Sequence, residues 1–135
     1  MVGKIALITI LTDSVPALVR FYREALSLEP KGEVGEYVEF HHEGVRFAIC
    51  ARSILKNATG HPDYGGPHRG QSFELAFGPL ATHAEVDQVY ADILAKGGTP
   101  IQSPANMPWG QRTAFFADPD GNIHEVFADL PNSSG

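Results

Sequence analysis

A chain of 135 residues, 43% hydrophobic and 19% charged, has the size and composition of one folded domain with a real core, not of a disordered segment. Its formal net charge of −6, with ten Lys and Arg scattered along it, excludes the clustered basic surface that a nucleic-acid partner requires. The longest apolar run, IALITIL at 5–11, is far too short to span a bilayer and has no cleavage site behind it, so the expectation is a cytoplasmic protein with no membrane partner. The single cysteine, Cys50, cannot close an internal disulfide, agrees with a reducing compartment, and reads as a small buried hydrophobe.

In chain order, a strand at about 4–11 precedes Ser14, a helix N-cap, and a helix at about 15–26. The apolar positions Val15, Leu18, Val19, Tyr22, Ala25 and Leu26 of that helix fall on one face. Two strands follow, EYVEFH and VRFAICA, joined at a turn around Glu43 and Gly44. The stretch RSILKNATGHPDYGGPHRGQ, 52–71, is rich in Gly, Pro and polar residues and reads as a connector. The pattern then repeats. FELAF at 73–77 is a strand, and Thr82 with Glu85 makes a capping box for a helix carrying Val86, Val89, Tyr90, Ile93 and Leu94, which Gly97 and Gly98 end. A short extended TPI precedes QRTAFFA and NIHEVFA, which are joined by DPDGN. In that turn Asp118 accepts hydrogen bonds from nearby amides, Pro119 presets its own φ, and Gly121 or Asn122 tolerates a positive φ. Each half is therefore strand, helix and three strands. Units this small bury too little alone, so the reading is one α+β domain with internal pseudo-symmetry, its modules at about 4–51 and 72–129.

Alternation along strands sorts the carboxylates. Phe73, Leu75 and Phe77 share one face of their strand, and Ser72, Glu74, Ala76 and Gly78 share the other. In the last strand Ile123, Glu125 and Phe127 lie on one face, His124 and Val126 on the opposite one. Glu125 is then either a solvated glutamate guarding an edge or part of a pocket wall. Glu74, if buried, must be paired, protonated or bound to something.

Strand, helix and three strands twice over, with FYREALSL closing the first helix and PWGQRTAFFADPDGNIHEVF closing the second unit, resembles the vicinal oxygen chelate superfamily of glyoxalase I, bleomycin-resistance proteins and extradiol dioxygenases. The likeness covers about 4–129, and its most specific part is DPDGN followed by Glu125. It implies that residues 1–135 are one glyoxalase/bleomycin-resistance-like domain of two βαβββ modules. Their curved mixed sheets would form a half-open barrel around a cavity, within a homodimer. In metal-dependent members the ligands come from the first and last strand of each module. That pattern falls here on Glu74 and Glu125 in the second module and on Leu7 and Ala48 in the first, and the last two cannot bind a metal.

The donor set argues against zinc, nickel or ferrous iron, which favour nitrogen or sulfur ligands. A divalent metal such as magnesium or manganese, held by two carboxylates and water, is the arrangement these donors permit, and no cofactor is otherwise implied. The histidines add nothing: His41 and His42 face opposite sides of a strand, His61 and His68 lie in the connector, His83 opens a helix and His124 faces away from Glu125. Three functions follow. One is a small-molecule binding protein of the bleomycin-resistance kind, with Trp109 either stacking on a flat ligand or lying as a lid over the sheet end. Another is a metal-dependent lyase, isomerase or dioxygenase. The last is a metal-free enzyme with Glu74 or Glu125 as general base. Arg112 reads as a partner of Glu125, as an anchor for an anionic ligand, or as half of a structural salt bridge. Without a cation between them, Glu74 and Glu125 should repel until one is protonated or paired with an arginine.

Overall fold

The structure, a computed structural model, describes residues 3–66 and 70–131. The apolar stripe read from the sequence makes the helix α1 (Val15–Glu24), whose Val15, Leu18, Val19, Phe21 and Tyr22 are all buried. They pack on β3 (Tyr37–His41) and on β4 (Arg46–Ala51), the neighbour of β1 (Leu7–Thr12), and the Tyr22 ring lies 5.5 Å from that of Phe47 and 6.4 Å from that of Phe40. Each such side chain contributes about 1.5–3 kcal/mol by leaving water, so this sheet face is committed to the core and chemistry is left to the other. With the short β2 (Glu29–Pro30) the sheet has the order β1-β4-β3-β2, with β1 parallel to β4 and the remaining pairs antiparallel.

The second half repeats the plan with β5 (Ala76–Leu80), α3 (His83–Ala95), β6 (Thr99–Asn106), β7 (Gln111–Ala117) and β8 (Ile123–Asp129), in the order β5-β8-β7-β6. Again the first and last strands, β5 and β8, pair in parallel and the rest antiparallel. The architecture is thus α+β, two βαβββ modules each with an open four-stranded mixed sheet. The chain divides into one unit up to residue 69 and another from residue 70.

Several boundaries differ from the sequence reading. The first helix stops at Glu24, and Ser14 caps it without a side-chain bond; its N–H is instead held by Thr12 Oγ1 at 3.0 Å. The 52–71 connector contains the helix α2 (Arg52–Thr59), closed by Gly60 at φ +70°, and a 3-10 turn at Pro62–Gly65. None of the residues of α2 is buried, and the Gly, Pro and polar residues that follow it made the whole stretch read as a connector. The TPI segment is the eight-residue edge strand β6, where Pro100 and Pro104 are tolerated because an edge leaves half its amides unpaired. The FELAF strand starts three residues late, at Ala76, and its register against β8 shifts after Phe77. The cause is Gly78, at φ +148°, where a Cβ would stand 2.6 Å from the Phe127 carbonyl oxygen and 3.1 Å from its ring. At the second helix the expected cap is present: Thr82 Oγ1 accepts from the Glu85 N–H at 3.2 Å. Among the described residues no helix is long and apolar enough to cross a membrane.

Candidate functional site

The turn between β7 and β8 fixes where every side chain of β8 points. Asp118 is 1% exposed, and its carboxylate accepts from the backbone N–H of Asp120 and of Asn122 at 3.0 and 2.9 Å and from Asn122 Nδ2 at 2.9 Å. Gly121 supplies the positive φ, +88°. The hairpin then sets Phe115 opposite Glu125, Phe116 opposite His124, Ala114 opposite Val126 and Thr113 opposite Phe127. Ala114, Phe116, His124, Val126 and Ala128 form the buried face under α3. Ile123, Glu125 and Phe127 share the other face with Thr113, Phe115 and Ala76, the residue opposite Glu125 on β5. Glu125 is only 9% exposed there.

Glu74 reaches the same place from the segment before β5. The Glu125 N–H donates to the Leu75 carbonyl at 3.0 Å, and the Leu75 N–H donates to His124 Nδ1 at 3.1 Å. Gln71 binds both polar groups of the Ile123 backbone, giving Nε2–H to its carbonyl at 2.6 Å and accepting its N–H on Oε1 at 3.2 Å. Held this way, Glu74 meets Glu125 within hydrogen-bonding reach. Burial, then the hydrogen bond and charge of Glu74, push the Glu125 carboxyl up to about 7. A like charge beside a buried carboxyl disfavours its ionised form, so Glu125 keeps its proton to a higher pH than an ordinary carboxylate does. Of the two outcomes expected for the pair, the upward direction of the Glu125 carboxyl accords with protonation.

Arg112 goes elsewhere. Its guanidinium donates to both Asp87 oxygens, at 2.9 and 3.2 Å, and to Asn106 Oδ1 at 3.0 Å. It lies opposite Ala128, on the face toward α3, which an odd number of steps from Phe115 dictates; of the readings offered for it, the structural salt bridge is the one seen, and a pairing with Glu125 is not. Trp109 is 59% exposed in the turn before β7, not folded down as a lid, and its indole N–H donates to Gln111 Oε1 at 3.1 Å. Gln111 in turn reaches Asp129 Oδ1 at 3.3 Å, and this pair shares the Glu125 face.

Leu7 and Ala48 belong to the first unit. Ala48 lies opposite Thr9 as Glu125 lies opposite Ala76, and Leu7 precedes Thr9 by two residues as Glu74 precedes Ala76. They are therefore the structural counterparts of the two glutamates, on the face turned away from α1, and neither carries a donor. Beside Ala48 stands Glu39, held by Arg46 at 2.7 and 2.9 Å and by Lys31 at 3.5 Å; the hydrogen bond from Arg46 is the chief reason its carboxyl is lowered to about 2.

Two carboxylates in mutual contact do not fit zinc, nickel or ferrous iron. Among the described residues no three His, Cys, Asp or Glu side chains converge. His42 Nδ1 is engaged by the Val45 carbonyl, and His61 Nδ1 accepts from the Asp63 N–H; His68 lies outside the described residues. His124 is bound on the face opposite Glu125, and burial lowers its pKa against the opposing pull of the Asp118 and Glu74 charges.

Sequence reasoning missed Gln71 and the part played by His124. For His124 a signal existed: a polar residue on a core face must find a partner. For Gln71 there was none, because its partner Ile123 is 52 residues away.

Comparison with known proteins agrees with this architecture. The model of a family described as the glyoxalase-like domain matches residues 5–130. The uncharacterized protein YraH of Bacillus subtilis (strain 168) is 27% identical over 132 residues, 94% of this chain and 99% of its own. A solved glyoxalase/bleomycin resistance protein/dioxygenase from Nocardioides superimposes with a TM-score of 0.83 at 26% identity, covering 98% of this chain and 87% of that one. A glyoxalase-related enzyme from Fulvimarina pelagi does so with a TM-score of 0.79 at 25% identity, over 95% and 89%. Lactoylglutathione lyase from Agrobacterium tumefaciens is similar in fold, with a TM-score of 0.65 at 23% identity, over 95% of each chain.

Proposed function

This chain belongs to the glyoxalase-like domain family, within the vicinal oxygen chelate superfamily, and from that premise we propose that it binds a small organic molecule against the Glu74 and Glu125 face of its second sheet, without a full set of metal ligands. The observation that carries this reading is the nearly buried Glu125 carboxyl, set on one sheet face among Ile123, Phe127 and Phe115 with Glu74 beside it. An apolar surface with a few placed polar groups suits a small ligand, and a carboxyl that titrates near neutrality can donate or accept a hydrogen bond. The exposed indole of Trp109, steadied by Gln111, adds a flat apolar surface for the ligand.

A second reading is favoured by the Glu125 carboxyl at about 7. That value suits a general base taking a proton next to a carbonyl, the step of a metal-free lyase or isomerase. Glu125 would accept the proton, Glu74 would hold the hydrogen bond to it, and the apolar neighbours would keep water away. The protein would act as a homodimer in either case, and light scattering that returned only the monomer mass at micromolar concentration would remove that part of the reading.

The test is calorimetric titration with a panel of small α-hydroxycarbonyl compounds and planar aromatics. The compounds that bind should lose about tenfold or more in affinity with Glu125→Gln. Equal affinity for parent and variant would sink the proposal. Elemental analysis should find substoichiometric transition metal, and about one tightly held zinc, nickel or iron per chain would mean ligands beyond these two carboxylates.

A further inference from the structure

Backbone pairing between β5 and β8 begins only at Ala76, yet the side chain that matters, Glu74, comes two residues earlier. Over residues 71–75 the bonds to β8 come largely from side chains. Gln71 occupies the place of a peptide unit beside Ile123: its carboxamide offers a donor and an acceptor side by side, and both are used. The same Nε2 also donates to the Phe73 carbonyl at 2.7 Å, tying the amide to its own segment. At the other end the Leu75 N–H, with no strand carbonyl to meet, donates to His124 Nδ1.

We propose that Gln71 and His124 are positioning residues that together set the register at which Glu74 meets Glu125; this rests on the reading of that pair as the ligand site. The His124 ring is 2% exposed and stands edge-on to Phe77 and Phe116, at centroid distances of 5.9 and 6.0 Å and interplanar angles of 72° and 70°. Packing thus fixes the ring plane, and in that plane Nδ1 faces the Leu75 N–H. Accepting there leaves the proton of a neutral ring on Nε2, which points toward Asp118 with Oδ2 at 3.9 Å. The charges that act on the imidazole are those of Asp118 and, from the other side of the sheet, Glu74. Glu74 is therefore held between two anchors, three residues after Gln71 and one before Leu75. A slip of one residue would turn its carboxylate to the opposite face, which makes two anchors on so short a segment a register lock.

The experiment uses the full chain and needs no ligand. Carboxyl-carbon NMR titration of Glu125, amide exchange of Leu75 and a thermal melt are recorded for the parent and three variants. His124→Phe keeps the ring and removes the acceptor; His124→Asn keeps an acceptor near the Nδ1 position and removes the ring; Gln71→Ala removes the exposed amide. In His124→Phe and Gln71→Ala the Glu125 midpoint should fall by about one unit or more as Glu74 drifts away, and Leu75 exchange should quicken about tenfold. In His124→Asn the midpoint should stay near that of the parent although the melt is lowered. A Glu125 midpoint that is the same in all four proteins, or already in the ordinary carboxylate range in the parent, overturns the proposal. Should His124→Phe fail to fold, Gln71→Ala decides alone by the same criterion. If the midpoints move as expected while Glu125→Gln leaves binding of the compound panel unchanged, the register lock stands and the ligand-site reading falls.

Discussion

On the first sheet's face turned away from α1, Glu39 sits next to Ala48 and is gripped by the Arg46 guanidinium and the Lys31 ammonium; on the matching face of the second sheet, Glu125 sits among apolar side chains and meets Glu74. One carboxyl is held at about 2, the other at about 7. Strand order and pairing sense are the same in both units, so backbone architecture does not set the protonation state. The neighbours do: a cation with two hydrogen bonds stabilises the anion, whereas burial beside a like charge stabilises the acid.

The largest expected effect follows from the second of these. Unfolded, Glu125 titrates near 4.5, the ordinary value for its carboxyl, and folded near about 7, so between those values the unfolded chain has released a proton that the folded one still holds. Stability should therefore fall as pH rises through that window, with a full penalty of order 3 kcal/mol above it. Glu125→Gln removes the penalty, and the variant should be more stable than the parent above neutral pH and equal to it below about pH 4.5. Denaturant melts that give parallel curves for the two proteins across the window would break the comparison.

Next in size are the hairpins that present the two faces. Asp118→Ala leaves three donors in the β7–β8 turn without their charged acceptor and should cost about 2–3 kcal/mol, measured by urea unfolding. The corresponding turn of the first unit has the exposed His42 contact with Val45, and His42→Ala should stay within about 0.5 kcal/mol. Equal losses at the two turns would mean that the second hairpin is not specially fixed.

The smallest effect on stability belongs to the clasped carboxylate. Arg46→Ala should bring the Glu39 midpoint from about 2 up toward the ordinary carboxylate range, read by NMR, with little change in the melt because the pair is exposed. A midpoint that stayed low would show that Lys31 suffices.

Much of this was legible in the chain. Helical periodicity placed α1 and α3, and strand parity put Glu125 apart from His124, because those patterns depend only on local geometry; the placing of Glu74 with Glu125 came from the family resemblance, not from parity. Parity also sends Arg112 away from Glu125, although its partner Asp87 depends on where α3 crosses the sheet, which no count along β7 supplies. The late start of β5 was illegible because it depends on Gln71 and His124 standing in for backbone, and the register shift after Phe77 because it depends on a glycine admitting Phe127. The helix α2 was passed over because it spans only eight residues and adjoins a Gly- and Pro-rich stretch that reads as a connector.

The strand order has a consequence for substitution. Among the described residues each hydrogen-bonded ladder is built from strands of one half of the chain, β1 to β4 in the first and β5 to β8 in the second. A substitution at Leu7 or Ala48 leaves the pairing of β5 with β8 untouched, and one copy of the plan is free to lose its polar groups while the other keeps Glu74 and Glu125.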